Sequence, residues 1–224
     1  DTGVRQGDMV TPFYDPMIAK IIAYAEDRAM ARARLHRALA ETAVLGLATN
    51  LRFLARVVAD ADFAASAVDT GFIDHHRETL LVPADPPPAL ALAAAVLDRL
   101  LSREPTTRAV CALADPWSRR DGWRLNLAAA PRDFLFRCGE TEHALAATEI
   151  GPGDWRLAIA GNFRDLRGER GSDGALDVIL GGLRRSVRVL DYGGATGVFS
   201  NGESWVLEAI DPLAPPAGAD ASKS

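Results

Sequence analysis

Lysine is almost missing from this chain of 224 residues, which contains only Lys20 and Lys223. Arginine supplies the other basic side chains, and acidic residues outnumber basic ones by 30 to 25, for a formal net charge of -5. A protein that binds phosphate backbones needs a basic face, so this balance argues against nucleic acid as a partner. The arginine cluster between residues 28 and 37 has helical spacing and is interpreted as a solvated helix face.

Cysteine, long apolar runs and catalytic motifs are also rare or missing. Cys111 and Cys138 lack C-x-x-C spacing, which favours reduced core thiols over a disulfide or a metal site. No apolar run approaches the roughly 20 residues that span a bilayer, and the opening Asp1-Thr2-Gly3 does not resemble a signal peptide, so no membrane partner is expected. The chain has no Walker A loop, nucleophile elbow, zinc-protease motif or dinucleotide fingerprint. Its start at Asp1 rather than Met suggests a piece of a longer protein.

Two stretches look like binding motifs but lack the necessary context. The glycine-rich run 193–197 lies between strand-like segments with no following helix to hold a phosphate, so a turn is favoured. His75 and His76 project in different directions on a helix, and no third ligand is expected nearby, which argues against a metal site. There is no nucleophile–base pair either. The residues alone therefore predict no catalytic, cofactor or metal site.

Residues 1–79 predict a mixed α/β unit. The apolar run 17–25 is typical of a strand that is covered on both faces. Glu26 and Asp27 open a helix with arginines opposite its apolar side, and Thr49 or Asn50 caps a second helix. Residues 80–88 end in three consecutive prolines, which exclude a helix interior and predict a stiff linker between domains.

Residues 89–213 predict one long helix followed by an antiparallel barrel-like sheet wrapped around it, so the whole chain is assigned to the α+β class. Apolar residues cover most of the circumference of the helix that begins at Ala89, which therefore needs to be surrounded. From about residue 108, seven or eight short strand-like segments alternate with turn signals. Asn201-Gly202 is the clearest hairpin turn. Residues 214–224 predict a linker.

Asp15 and Lys20 form the one pair that suggests acid–base chemistry. Five positions apart, their side chains point to opposite faces of a regular strand. Asp15 also lies in a turn bracketed by prolines, where a carboxylate commonly bonds backbone amides. A buried or half-buried lysine needs a partner, which favours a structural ion pair or hydrogen-bond network. Both residues are therefore interpreted as framework, and Lys20→Ala is expected to lower the melting temperature.

Two sets of segments resemble a known family of enzymes. The first set is similar, in order and spacing, to the end of a biotin carboxylase domain: Tyr14–Lys20, Glu26–Arg28, Gly46–Leu51, Phe63 and Asp69–Ile73. Tyr14, Asp15, Lys20 and Asn50 are its structural signature. The second set, Asp115–Ser118 and Gly122–Asn126 with the helix-then-strands pattern, resembles the BT domain that connects carboxylase to carboxyltransferase. Within this family the segments resemble 3-methylcrotonyl-CoA carboxylase α subunits, with propionyl-CoA and geranyl-CoA carboxylases as alternatives.

This resemblance implies a ligase that uses ATP, a divalent metal, bicarbonate and covalently bound biotin, in acyl-CoA metabolism and leucine degradation. The ATP-grasp portion and the Met-Lys-Met biotinylation site are not among these residues, so the chain alone is expected to be inactive and to bind no cofactor. The implied partners are the carboxyltransferase β subunit, an upstream ATP-grasp core and a downstream biotin carrier domain. The expected location is the cytoplasm, or the mitochondrial matrix in a eukaryote.

Two functions remain open at this point. One is a non-catalytic scaffold that docks the α subunit on the β subunit. The other is an independent ligand-binding barrel, which the central helix opposes because it would fill the lumen. Three tryptophans are candidate interface anchors, with burial in the barrel core as the favoured alternative for each: Trp117, Trp123 and Trp155.

Overall fold

The computed structural model describes residues 2–11, 13, 17–103 and 129–211, which belong to two compact units. The first unit comprises Asp1–Ala84 with Ser200–Glu203, and the second comprises Asp85–Phe199 with Ser204–Ser224. None of the helices in the described ranges is long and apolar enough to cross a membrane.

The described part of the first unit contains five helices joined by irregular segments. Its helices are α1 (Arg28–Glu41), α2 (Leu51–Ala59), α3 (Ala61–Ala64), α4 (Phe72–His75) and α5 (Arg77–Leu80). Asp27 begins α1 as predicted, because its side chain accepts a hydrogen bond from the backbone N–H of Met30 at 2.8 Å. Buried residues of α1 and α2 form a small core: Leu39, Ala55 and Val58.

The strand predicted for residues 17–25 is not formed. Within the described residues of this unit, the β contact is one isolated antiparallel bridge between Thr2 and Ala19. A strand needs a continuous neighbour to satisfy alternate backbone groups, and one bridge does not supply it. The segment is also open to solvent, since Ile22 is 70% and Tyr24 85% exposed. The prediction of a strand covered on both faces was wrong for these residues.

The second unit contains a helix and a closed antiparallel barrel. The helix α6 (Ala89–Arg103) begins where the sequence predicted. Residues 129–211 as described contain eight strands, each beside the next in sequence, and β1 closes the barrel against β8. They are β1 (Arg132–Cys138), β2 (Thr141–Gly151), β3 (Asp154–Ile159), β4 (Asn162–Arg170), β5 (Leu176–Leu180), β6 (Leu183–Tyr192), β7 (Ala195–Ser200) and β8 (Glu203–Ala209).

Tight turns with left-handed backbone join several of these strands. Asn201 has φ 53° and Gly202 has φ 79°, the values that a two-residue type I′ hairpin requires, so the predicted turn between β7 and β8 is confirmed. Gly193 and Gly194 have φ 60° and 84° in the turn between β6 and β7. The first two residues of the glycine-rich run therefore form the predicted turn, and residues 195–197 already belong to β7.

The core of the second unit consists of α6 and the inward-facing side chains of the strands. Residues Ala91 through Asp98 are each at most 3% exposed, so more than two turns of this helix are covered on every side. They share one buried cluster with strand residues such as Phe136 and Leu166. Alternating burial along β5, from Leu176 to Leu180, is typical of a strand with one face in the core.

Gly168 marks the closest approach of β4 to its surroundings. A Cβ atom built on this glycine would lie 1.9 Å from the backbone oxygen of Asp177 and 2.8 Å from Cδ2 of Leu97 on α6. Real Cβ atoms do not come this near to other heavy atoms, so the position has room only for a hydrogen.

Candidate functional site

A polar cluster interrupts the apolar core near the C-terminal end of α6. Asp98 is 2% exposed, and its Oδ1 accepts a hydrogen bond from Nη2 of Arg170 on β4. Thr196 on β7 donates its hydroxyl to Asp191 at 2.7 Å, and Nη2 of Arg99 lies 3.4 Å from that hydroxyl. These contacts tie one end of α6 to two separate strands. Buried polar pairs of this kind can specify one register of packing.

The electrostatics of this cluster favour a structural role. Burial raises the pKa of the Asp98 carboxyl, Arg170 lowers it, and the negative charge of Asp191 raises it again. The guanidinium of Arg99 lies 5.4 Å from the centroid of the Phe136 ring, within cation–π range. Each charged group thus has a partner inside the unit. The cluster was not predicted from the sequence, although the charged pair Asp98-Arg99, which follows nine apolar residues of α6, was the signal for it.

The outer face of β1–β4 carries an apolar patch, called here the outer alanine face: Leu135, Ala144, Ala146, Ala158 and Phe163. The strand register brings these residues together, because Leu135 pairs with Ala144, Ala146 with Ala158, and Ala158 with Phe163. Phe163 is 72% exposed. A groove of about 550 Å³ runs over the β1–β3 part of this face, bordered by Asp133 and Gly161. Exposed apolar patches with polar rims are typical of protein–protein contact surfaces.

The structure places three of the residues singled out from the sequence, and Tyr14, Asp15, Trp117 and Trp123 lie outside the described residues. Lys20 is exposed, so its expected burial was wrong, whereas the partner expected for its ammonium group stays a prediction. Asn50 occupies the N-cap position of α2, but its side chain makes no capping hydrogen bond. Trp155 is 2% exposed in the barrel core, and the Arg132 guanidinium lies 4.7 Å from its ring centroid.

The cysteine on β1 has the character of a core thiol. Cys138 is free and half-buried, and burial raises the pKa of its thiol. A thiol with a raised pKa is a poor nucleophile, since the thiolate is the reactive form. Cys111 lies outside the described residues.

The adjacent histidines have different surroundings. His75 is exposed, whereas Nε2 of His76 lies 3.0 Å from Oδ2 of Asp62 and 4.0 Å from Oδ2 of Asp60. No third ligand had been expected near these histidines from the sequence. The fold supplies two carboxylates from the junction of α2 and α3 instead.

Two family models match nearly consecutive parts of the chain. The one described as "Biotin carboxylase C-terminal domain" matches residues 1–75. Together with the match of the barrel unit, it assigns the chain to a region of a biotin-dependent carboxylase alpha subunit. The one described as "Methylcrotonyl-CoA carboxylase, alpha-subunit, BT domain" matches residues 87–212, and so contains α6 and the whole barrel. The chain belongs to this family of methylcrotonyl-CoA carboxylase alpha-subunit BT domains.

Curated relatives agree with the family match. "Methylcrotonoyl-CoA carboxylase subunit alpha, mitochondrial" of Dictyostelium discoideum is 42% identical over 126 residues, 56% of this chain and 18% of that protein. The protein of the same name in Rattus norvegicus is 34% identical over 179 residues, 78% of this chain and 25% of its own length. "Pyruvate carboxylase, mitochondrial" of Homo sapiens is 42% identical over 73 residues, 33% of this chain and 6% of that protein. The chain spans at most a quarter of the length of these relatives.

Proposed function

We propose that this chain is the subunit-association part of a biotin-dependent carboxylase alpha subunit, and that its barrel docks that subunit on the carboxyltransferase β subunit. The observation that carries the proposal is the outer alanine face with the exposed ring of Phe163. Aromatic side chains surrounded by small residues are effective anchors, because they bury a large area without displacing bulky neighbours. The relatives' names as alpha subunits support a partner subunit.

The barrel is proposed to wrap around α6. The burial of Ala91 through Asp98, the contacts of α6 with β4, β5 and β6, and the pairing of Asp98 with Arg170 support this arrangement. A helix in the lumen occupies the space where a closed barrel would otherwise hold a small molecule. The wrapped arrangement therefore favours a rigid docking platform over an independent ligand-binding barrel.

The parent enzyme is proposed to carboxylate 3-methylcrotonyl-CoA, with propionyl-CoA and geranyl-CoA as alternative substrates. It would use ATP, a divalent metal, bicarbonate and covalently bound biotin. The chain supplies neither a Met-Lys-Met sequence nor the motifs of an ATP site. Its own contribution is therefore to hold subunits together while other parts of the parent perform the chemistry.

Replacing Phe163 by serine tests the docking surface. Phe163 is 72% exposed, so the substitution should leave the barrel folded while it removes the anchor. Loss of an aromatic anchor typically costs about 2 kcal/mol or more, which is a roughly 30-fold increase in Kd. The affinity of the complete alpha subunit for the β subunit, measured by biolayer interferometry, checks this expectation. Tyr192→Ser is the matched control, because Tyr192 is also exposed at 65% but lies outside the outer alanine face.

Three results would contradict the proposal. An unchanged Kd for Phe163→Ser would mean that the outer alanine face is not the contact surface. The same conclusion would follow if Tyr192→Ser lowered the affinity for the β subunit as much as Phe163→Ser does. Bicarbonate-dependent ATP hydrolysis by the 224-residue chain above the buffer rate would show that the chain is not merely a scaffold.

A further inference from the structure

We propose that Asp60, Asp62 and His76 form a binding site for one divalent transition-metal ion of the Zn²⁺ type. The site is independent of the proposed docking function. Its three ligand atoms lie within 4.8 Å of one another, although the residues come from two separate segments of the first unit. One histidine and two carboxylates with an open position are a donor set that suits Zn²⁺, whereas Ca²⁺ and Mg²⁺ prefer oxygen ligands alone.

The two carboxylates are held in different ways. Asp60 is the N-cap of α3, and its Oδ1 accepts hydrogen bonds from the backbone N–H groups of Asp62 and Phe63 at 2.8 and 3.2 Å. Its other oxygen, Oδ2, therefore faces His76, at 4.0 Å from Nε2. Oδ2 of Asp62 is 3.0 Å from the same nitrogen. Backbone hydrogen bonds thus fix one ligand, and the more exposed Asp62 can adjust.

The imidazole of His76 requires a cation on the carboxylate side. Its Nδ1 lies 3.0 Å from the carbonyl oxygen of Phe72, and a carbonyl only accepts hydrogen bonds, so Nδ1 carries a proton. The ring also stacks on Phe72 with centroids 4.5 Å apart. In the neutral imidazole, the lone pair of Nε2 then faces two carboxylates. That arrangement is repulsive unless a proton or a metal ion lies between them, which separates this cluster from an ordinary group of acidic side chains.

The distances fit a metal ion after a small movement. Zn²⁺ binds histidine nitrogen and carboxylate oxygen at about 2.0–2.2 Å, so tetrahedral ligands lie roughly 3.3 Å from each other. The Asp62–His76 distance of 3.0 Å is already near this value, and the Asp60–His76 distance of 4.0 Å must shorten by under about 1 Å. The Asp60 and His76 side chains are 17% and 24% exposed, while Asp62 is 57% exposed and leaves an open side for entry and for a water ligand. The Phe72 carbonyl would orient the histidine, as outer hydrogen-bond partners of metal ligands commonly do.

A proton competes with the metal for the same nitrogen. The hydrogen bond to the Phe72 carbonyl raises the pKa of His76, partial burial opposes it, and Asp62 and Asp60 raise it further. Metal binding should therefore strengthen as the pH rises through the pKa of His76, since His76 must lose its Nε2 proton first. A bound ion would join the start of α3 to the end of α4, two helices that are too short to be stable alone.

Co²⁺ is the probe for the site, because tetrahedral Co²⁺ absorbs in the visible range and Zn²⁺ displaces it. The 224-residue chain, stripped with EDTA and titrated at pH 8, should bind one Co²⁺, and Zn²⁺ should abolish the absorption and raise Tm. His76→Gln and Asp62→Asn should weaken binding by more than about 100-fold, since they remove ligands rather than outer-shell partners. His75→Gln is the control, because His75 is adjacent and exposed but lies outside the cluster.

Asp62→Asn keeps the test decisive if His76→Gln fails to fold, because the Asp62 side chain is 57% exposed. Equal weakening by His75→Gln, or unchanged binding to Asp62→Asn, would overturn the assignment. So would a chain that binds neither Co²⁺ nor Zn²⁺ at pH 8, since the cation between His76 and the carboxylates would then be a proton only.

Discussion

Gly168→Ala adds a single methyl group where β4 has no room for one. The new Cβ would lie 1.9 Å from the backbone oxygen of Asp177 and 2.8 Å from Cδ2 of Leu97. Leu97 can rotate away at some cost, but the backbone oxygen belongs to the paired strand β5. Relief therefore requires the two strands to separate, and strands in a ladder are held about 4.8 Å apart by their hydrogen bonds.

The expected loss of stability is about 1–3 kcal/mol, the usual range for an extra methylene forced into a packed core. For a chain of this size each kcal/mol shifts Tm by about 2–4 °C, so Tm should fall by roughly 2–12 °C. Urea unfolding followed by tryptophan fluorescence, to which Trp155 in the barrel core contributes, measures the free energy of unfolding. Leu97→Ala removes a buried side chain and is destabilising by itself, but the double variant should lose less than the sum of the two single losses, with a coupling of roughly 0.5 kcal/mol or more.

Gly151→Ala is the matched control at the end of β2. A Cβ at Gly151 would meet only Asp154, at 3.8 Å, which is an ordinary contact. There the change should be neutral or should stabilise by up to about 1 kcal/mol, because alanine restricts the unfolded chain. If Gly168→Ala and Gly151→Ala have the same free energy of unfolding, then Gly168 does not lie as close to Asp177 and Leu97 as described.

Two further substitutions test the polar cluster and the first helix. The pKa of Asp98 is raised in the folded state, so ionisation of this buried carboxyl costs stability as the pH rises above its ordinary value of 3.8. The free energy of unfolding of Asp98→Asn, relative to that of the unchanged chain, should therefore increase as the pH rises from about 4 towards 7. Urea unfolding at several pH values measures this difference, and a difference that does not vary with pH would contradict the reasoning. Asp27→Ala should destabilise the first unit by about 0.5–2 kcal/mol, because it removes the N-cap hydrogen bond to the Met30 N–H. Chemical unfolding followed by circular dichroism measures this loss, with Glu26→Ala as the control. If the two substitutions lower the free energy of unfolding equally, Asp27 is not the cap.

Local chemistry made much of the barrel unit predictable. Asn201-Gly202 and Gly193-Gly194 adopt left-handed backbone that few other residue pairs tolerate, so the turns could be read from composition. The start of α6 was readable because prolines precede it and an apolar stripe follows. The start of α1 at Asp27 could also be read locally, because its side chain bonds the backbone N–H of a residue only three positions away.

Contacts between distant residues could not be predicted in this way. Asp98 and Arg170 are 72 positions apart, and His76 and Asp62 are 14 apart. Nothing in the local pattern of either segment specifies its partner, because such pairs depend on how the chain folds back. The exposure of Lys20 was mispredicted for a related reason: the apolar run around it suggested burial, but covering a strand needs neighbours that local periodicity does not reveal.

The closing edge of the barrel has a kinetic consequence. Each strand from β1 to β7 pairs with its neighbour in sequence, so those ladders can form from local hairpins. Closure between β1 and β8 instead joins residues 136–137 to 208–209 through two register pairs, against seven between β1 and β2. Because about 70 residues separate the two strands, closing the barrel has the largest entropic cost of any strand pairing in the sheet, and few hydrogen bonds offset that cost. Thermal opening of the barrel should begin along this seam, where backbone amides would exchange with solvent long before those of β3 to β5.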